Sequence, residues 1–158
     1  LEESVLGALM LEKDAYITIS GLIRPTTFYK KENRLIFEAI QALASQEQPV
    51  DILTVAEKLK ALGTLEEVGG VVRINSLSQR VASTAHLYYH AQILAQKAIA
   101  RELIAMAAKV EEQAYDEGQD VEDLMQNAEQ QIFVTYSESS FTVYARLVGG
   151  DHSRKQGL

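Results

Sequence analysis

Pro-Val-Asp-Ile-Leu-Thr-Val-Ala-Glu-Lys-Leu-Lys-Ala-Leu-Gly-Thr-Leu-Glu-Glu-Val-Gly-Gly, residues 49–70, reads as a short helix with both ends marked. Pro49 stops the segment before it, and Asp51 or Thr54 can accept the orphan amide hydrogens of a first turn. Ile52, Val55, Leu59 and Leu62 then share one face, and Gly63 is the residue type favoured just past a helix end. Gly69-Gly70 precedes another apolar-periodic stretch and reads as a turn.

Outward from this unit the same 3.6-residue period recurs, and no strand-like alternation of useful length appears before Thr135. The spacing predicts helices over residues 2–11, 14–22, 31–45, 53–62, 71–79, 83–115 and 121–136. Residues 25–29 form a connector whose aromatics, Phe28 and Tyr29, are expected to plug the core. Ile36, Phe37, Ile40 and Leu43 make an inward stripe, with Lys30, Lys31 and Glu32 solvated before it.

The longest segment carries Tyr89, Ile93, Ala100, Leu103, Ala107, Val110 and Ala114 at spacings of three, four or seven, a seam of the coiled-coil kind. A second row, Ala91, Ala98, Ala105 and Ala108, would let another helix approach closely. Gly118 ends the pattern, and Asp120 can cap a last helix bearing Val121, Leu124, Met125, Ala128 and Ile132 on one side. Two amphipathic helices joined by a short acidic turn make an antiparallel hairpin. One partner cannot cover both apolar stripes, so self-association is expected. Its seam is read as Ile93, Ala100, Leu103, Ala107, Val110, Leu124, Ala128 and Ile132.

The 158 residues suit one domain, and 47% hydrophobic content is enough for a core. A formal charge of −7 repels phosphate backbones and argues against a strong direct DNA-binding surface. Cysteine is absent, which suits a reducing compartment, and no apolar run approaches the ~20 residues of a membrane span. The chain starts at Leu1 and is expected to be a fragment of a longer protein.

Chemistry-bearing constellations are few. Gly69-Gly70 lacks the lysine and preceding strand of a phosphate loop. His86 and His90 have the spacing of a two-histidine metal pair, but no third ligand is evident, and surface histidines are the better account. Ser, His and Asp occur without a nucleophile elbow. Glu66-Glu67, Glu111-Glu112 and Asp116-Glu117 lie in polar stretches, where no enclosed pocket splits carboxylate pKa values. No catalytic, cofactor or metal residue is therefore assigned. Tyr88 and Tyr89 point ~100° apart on a helix, so one can be core and the other an interface anchor.

Residues 49–70 closely resemble the amino-terminal domain of the bacterial replicative DNA helicases, the DnaB family. There a Pro-hydrophobic-Asp-hydrophobic-hydrophobic-Thr-hydrophobic-Ala-Glu segment leads into Gly-x-Leu-x-x-Val-Gly-Gly. Ser4-Val5-Leu6-Gly7 after Glu2 or Glu3, the run Phe28-Tyr29, Arg34, Ile36-Phe37, and residues 85–104 ending in Arg101-Glu102-Leu103-Ile104 are similar to family segments in the same order. His86 and His90 depart from the Asn and Tyr common there, and the likeness ends near Val134.

The resemblance implies an all-α fold, a globular head over residues 1–96 followed by a subunit-pairing hairpin over residues 97–136. Residues 137–158 remain an unassigned tail, read as an addition from the expressed fragment or an ordered end rather than a second functional element, with a strand-like patch at residues 141–148 and His152 beyond it. It further implies a non-catalytic module without cofactor. ATP and magnesium would belong to an absent motor domain of an ATP-dependent 5′–3′ helicase. Expected partners are further copies (a trimer of dimers in a hexameric ring), the carboxy-terminal domain of primase, and a helicase loader. The expected setting is the bacterial cytoplasm, at the nucleoid-associated replisome. Tyr88, Tyr89, Tyr115 and Met125 are the primase-docking candidates, with Leu124 in question between docking and the seam. A helical interaction domain unrelated to replication would share the hairpin but not the four ordered segments. A small helical enzyme would need a polar pocket with perturbed titratable groups.

Overall fold

The computed structural model describes residues 1–81 and 83–138. Among these, the chain forms seven α-helices and one 3-10 turn, with no strand: α1 Glu2–Leu11, α2 Ala15–Ile19, the turn Pro25–Thr27, α3 Lys31–Ser45, α4 Ile52–Ala61, α5 Gly70–Gln79, α6 Leu87–Tyr115 and α7 Val121–Glu138. The all-α expectation holds. The chain divides into two compact units, Leu1–Leu94 and the part from Ala95 onward.

The first unit is built around α1. Six consecutive residues, Val5 to Met10, are buried, so this helix is covered on every side rather than along one stripe. It packs against α3 and α5, and α3 in turn packs on α4. Phe28 and Phe37 stack at 5.0 Å between centroids, and Tyr16 meets Phe37 at 6.1 Å. Each buried aromatic or aliphatic side chain of this kind is worth about 1.5–3 kcal/mol. The inward stripe of α3 is as expected: Ile36, Phe37, Ile40 and Leu43 are buried. Leu87, Ala91 and Leu94 at the start of α6 belong to the same core.

The ends of α4 carry the chemistry read from residues 49–70. Asp51 and Thr54 act together: the Asp51 carboxylate accepts from the Thr54 amide at 2.8 Å, and the Thr54 hydroxyl accepts from the Asp51 amide at 2.9 Å. Gly63 sits at φ +73°, and the Thr64 amide bonds back to the Leu59 carbonyl at 2.9 Å, closing the last turn. Leu62 does not join the inner face, because the helix has ended and its side chain is exposed. Gly69 and Gly70 form a turn in the left-handed region, at φ +103° and +74°.

Three other expectations are corrected. The second helix is only Ala15–Ile19. Asp14 enters it at φ +64°, and the Leu22 and Ile23 amides both bond back to the Ile19 carbonyl, ending it while leaving Leu22 and Ile23 buried. The long helix begins at Leu87, not Ser83. The Ser83 hydroxyl caps the Ala85 amide and Leu87 bonds to Thr84, so residues 83–86 are spent in turns. Of the two connector aromatics, Phe28 is buried and Tyr29 is exposed. The strand-like patch, His152 and residues 139–158 of the tail lie outside the described residues.

Gly7 sets the distance between α1 and α5. A methyl group at this position would lie 2.3 Å from the Leu77 carbonyl oxygen and 2.5 Å from Val81 Cγ2, and the former is backbone that cannot rotate away. Gly7→Ala is expected to destabilise the first unit by about 1–3 kcal/mol through forced separation of the two helices. Urea unfolding followed by circular dichroism measures it, and an unchanged midpoint would refute the close-approach account.

Candidate functional site

Two regions of the described chain gather polar or apolar groups in a way that a core does not require. The first lies on the head, where α1 begins. The Glu2 carboxylate accepts from the Tyr29 amide and, at 2.7 Å, from Asn33 Nδ2. Asn33, itself buried, accepts at 3.1 Å from Arg73 on α5. Arg73 also pairs with Glu3 at 2.9 Å, and Arg80 donates to the other Glu3 oxygen. This chain of contacts ties α1, α3 and α5 together at one end. Arg34 donates to the Phe28 carbonyl at 3.2 Å and holds the connector in place.

Burial raises the Glu3 pKa, but the charges of Arg73 and Arg80 and the bond from Arg73 outweigh it, so the carboxyl titrates below its ordinary value. Nearby, an open depression of about 390 Å³ is lined by Lys30, Glu32, Glu67, Val68, Gly69 and Arg73. Its two acids balance its two bases, and Glu67 is already paired with Lys31 at 2.6 Å.

The second region is the hairpin. The turn between α6 and α7 is stabilised by its own acids: Asp116 accepts from the Gly118 amide at 2.9 Å. Asp120 accepts from the Glu122 amide at 2.8 Å, capping α7 as its sequence position predicts. Met106, Lys109 and Gln113 of α6 line one groove with Asn127, Gln130, Gln131, Val134 and Thr135 of α7, and the five residues between the helices return α7 antiparallel to α6. The groove is open, about 500 Å³, and dominated by side-chain amides.

The exposed apolar residues lie elsewhere on the same two helices. At ~100° per residue, the half-buried Met106, Val110 and Gln113 of α6 share a direction, as do Leu124, Ala128 and Gln131 of α7. These are the facing sides. About 85° away in the same rotational sense on each helix lie Ala100, Leu103 and Ala107, and Val121, Met125, Ile132 and Tyr136, all exposed. On antiparallel helices an equal rotation from the facing side reaches the same broad face. The hairpin is therefore two-faced, apolar on one side and amide-lined on the other.

Among the seam residues, Ala100, Leu103, Ala107 and Ile132 are thus exposed, Ile93, Val110 and Ala128 are half-buried, and Leu124 is 9% exposed. Ala91 and Ala98 of the small-residue row are buried, whereas Ala105 and Ala108 face solvent. The tyrosine pair divides as adjacent helical residues must: Tyr88 packs on the head core and Tyr89 is 62% exposed. Tyr115 and Met125 are also exposed, at 81% and 68%. His86 is exposed and His90 half-buried. Sequence reasoning missed the exposed Ile104 and Phe133 and the amide groove. The groove had a signal: Asn127, Gln130, Gln131 and Val134 recur at helical spacing beside the apolar stripe. Among the described residues no group of three or more His, Cys, Asp or Glu is placed to hold a metal ion, and no helix is long and apolar enough to cross a membrane.

The described chain is an all-α head followed by a two-faced helical hairpin, with Glu2, Glu3 and Arg73 of the head held in structural contacts. Comparison with known proteins places it. A family model described as the DnaB-like helicase N terminal domain matches residues 1–96, and the chain belongs to that family. It is 38% identical over 133 residues to a replicative DNA helicase DnaB of Rhodothermus marinus, covering 84% of this chain and 14% of that relative. It is 34% identical to the replicative DNA helicase DnaC of Bacillus subtilis, covering 83% of this chain and 29% of the relative. Among solved structures, the N-terminal domain of DnaB helicase from Mycobacterium tuberculosis superposes with a TM-score of 0.78 at 34% identity, covering 84% of this chain and 93% of that one. A DnaB-like replicative helicase whose structure concerns its interactions with primase shares the fold, with a TM-score of 0.70 at 23% identity, over 92% of this chain and 34% of that one. The chain thus corresponds to the N-terminal domain of replicative helicases, spanning under a third of the length of these curated relatives, and their motor domain is not in it.

The Glu3 pairing yields a pH test. A folded-state pKa below the ordinary 4.5 means the pairing stabilises the fold above that value and is lost as pH falls through the lowered one. Glu3→Gln is expected to cost about 1 kcal/mol at pH 7, since Arg80 is largely solvated. The gap between variant and wild type should close on acidification below pH 4.5. Urea midpoints at pH 7 and pH 3 measure it, and a constant gap would show that the charge is not responsible.

Proposed function

We propose that this chain is an assembly and docking module of a replicative helicase, pairing copies through the apolar face of its hairpin and receiving primase on surfaces beside it. The observation that carries the reading is the row of exposed Leu103, Val121, Met125 and Ile132 on one broad face, too much apolar surface for one chain to leave to water. Dimers formed this way are the units from which a hexameric ring, a trimer of dimers, is built. A helicase loader is a further partner of the ring. ATP and magnesium serve the motor domain, not this module, and the bacterial cytoplasm at the replisome is its setting.

Primase docks through large exposed side chains near the hairpin. Tyr89 and Tyr115 present such groups, each with a ring to bury and a polar tip, and Met125 does so on the pairing face itself, where primase would take the place of a second copy. Tyr88 and Leu124 are spent within the chain and leave the set of exposed anchors. The chain's acidity supports a role in contacting protein rather than nucleic acid. A general helical interaction domain remains the alternative reading, and the family match weighs against it.

Self-association is tested by analytical ultracentrifugation of wild type and Leu103→Glu. The wild type is expected to dimerise, and the variant to weaken the dimer by about 2–3 kcal/mol, since a charge would be stranded in the apolar face. A monomeric wild type at high micromolar concentration would end the pairing claim.

Docking is tested by titrating a primase carboxy-terminal domain into Tyr89→Ala, Tyr115→Ala and Met125→Ala. At least one is expected to lose about 1–3 kcal/mol of affinity while its circular dichroism is unchanged. Equal affinity across all three folded variants would place the docking surface elsewhere.

A further inference from the structure

His86 and His90 are absorbed by none of the roles above. The His90 amide bonds to the His86 carbonyl at 2.9 Å, so His86 is the residue at the N-terminal boundary of α6 and accepts its first helical bond. That bond sets the two residues one turn apart. Their rings lie 6.4 Å apart in an edge-to-face arrangement. Among the described residues neither imidazole has a hydrogen-bond or ion-pair partner, and neither ring is buried, so both are available to a ligand from solvent.

We propose that His86 and His90 form a two-point chelating site for a borderline divalent transition ion, of the zinc, nickel or copper class. Imidazole nitrogens bind such ions at about 2.0–2.1 Å. Two of them on neighbouring cis positions of one ion stand about 3 Å apart. The rings reach this separation by side-chain rotation, which at a solvent-facing helix start is fast and cheap. Water fills the other positions, since no third ligand is placed nearby among the described residues. Hard ions such as magnesium and calcium are not candidates, because the site offers nitrogen and no oxygen cage.

The site has a structural consequence. Chelation joins residue 86 to residue 90 across the opening turn of α6, the turn that carries Tyr88 on the core and Tyr89 in solvent. An ion that binds this turn only when it is helical stabilises the folded chain by mass action. The order of affinity follows the ordinary preference of imidazole sites, with copper above nickel and zinc.

The test uses the full 158-residue chain, stripped of metal, with nickel and zinc ions as probes in isothermal titration and thermal unfolding. Wild type is expected to bind one ion per chain saturably and to unfold at a higher temperature in its presence. His86→Ala and His90→Ala should each weaken binding at least tenfold and lose the thermal shift, with circular dichroism confirming that both fold. His152→Ala, which changes the remaining histidine, should leave both readouts unchanged. Binding that persists in the double variant His86→Ala/His90→Ala, or that disappears with His152→Ala, overturns the site. The absence of saturable binding by wild type overturns it as well.

Discussion

The approach of α1 to α5 at Gly7 is the contact on which the head depends. α1 is buried along Val5 to Met10, so it has no solvent face to spare, and every neighbour must reach it without a gap. With the Leu77 carbonyl already at the space a methyl would need, the glycine fixes the separation of the two helices. That separation lets Ile74 and Leu77 of α5 fill the core beside Leu6 and Leu9. It also brings Arg73 and Arg80 within reach of Glu3, and Arg73 within reach of Asn33. The ionic ties at the end of α1 are thus a result of the apolar packing rather than its cause, since pairs this close to solvent contribute little alone.

Much of the fold was legible because the residues that end helices are local in their effect. Asp51, Thr54 and Gly63 act within four residues of themselves, and α4 is bounded by them. Lys31–Ser45 likewise follows from one uninterrupted stripe. The errors fall where local propensity competes with a turn. The apolar residues of 14–22 suit a helix, yet Asp14 and Gly21 bracket a shorter one, and Leu22 and Ile23 reach the core from outside it. Ser83 and Thr84 look like a helix start, but they bond to their own backbone first. At the hairpin, periodicity identified the apolar seam without saying which of its members stay inside the chain. Leu124 and Leu103 have the same spacing from their neighbours, and only the direction toward the partner helix separates the buried one from the exposed one.

The hairpin's two faces divide labour by chemistry. An apolar face is indifferent to direction and is served by a like surface, whereas a groove of amides asks for donors and acceptors at set positions. Its acidic turn is held by its own side chains.

The position of α1 in the chain carries a consequence for how the head is made. Residues 12–69 separate α1 from α5, its closest companion. A helix that is apolar all round has no stable form in water until that companion exists. In synthesis from the amino end, α1 must wait as an exposed greasy segment while some sixty residues follow it. Closing so long a loop places the head among the slower-forming helical folds, with contacts far less local than a simple bundle of neighbours would make. The helix that organises the finished core is thus the one most in need of protection during its birth.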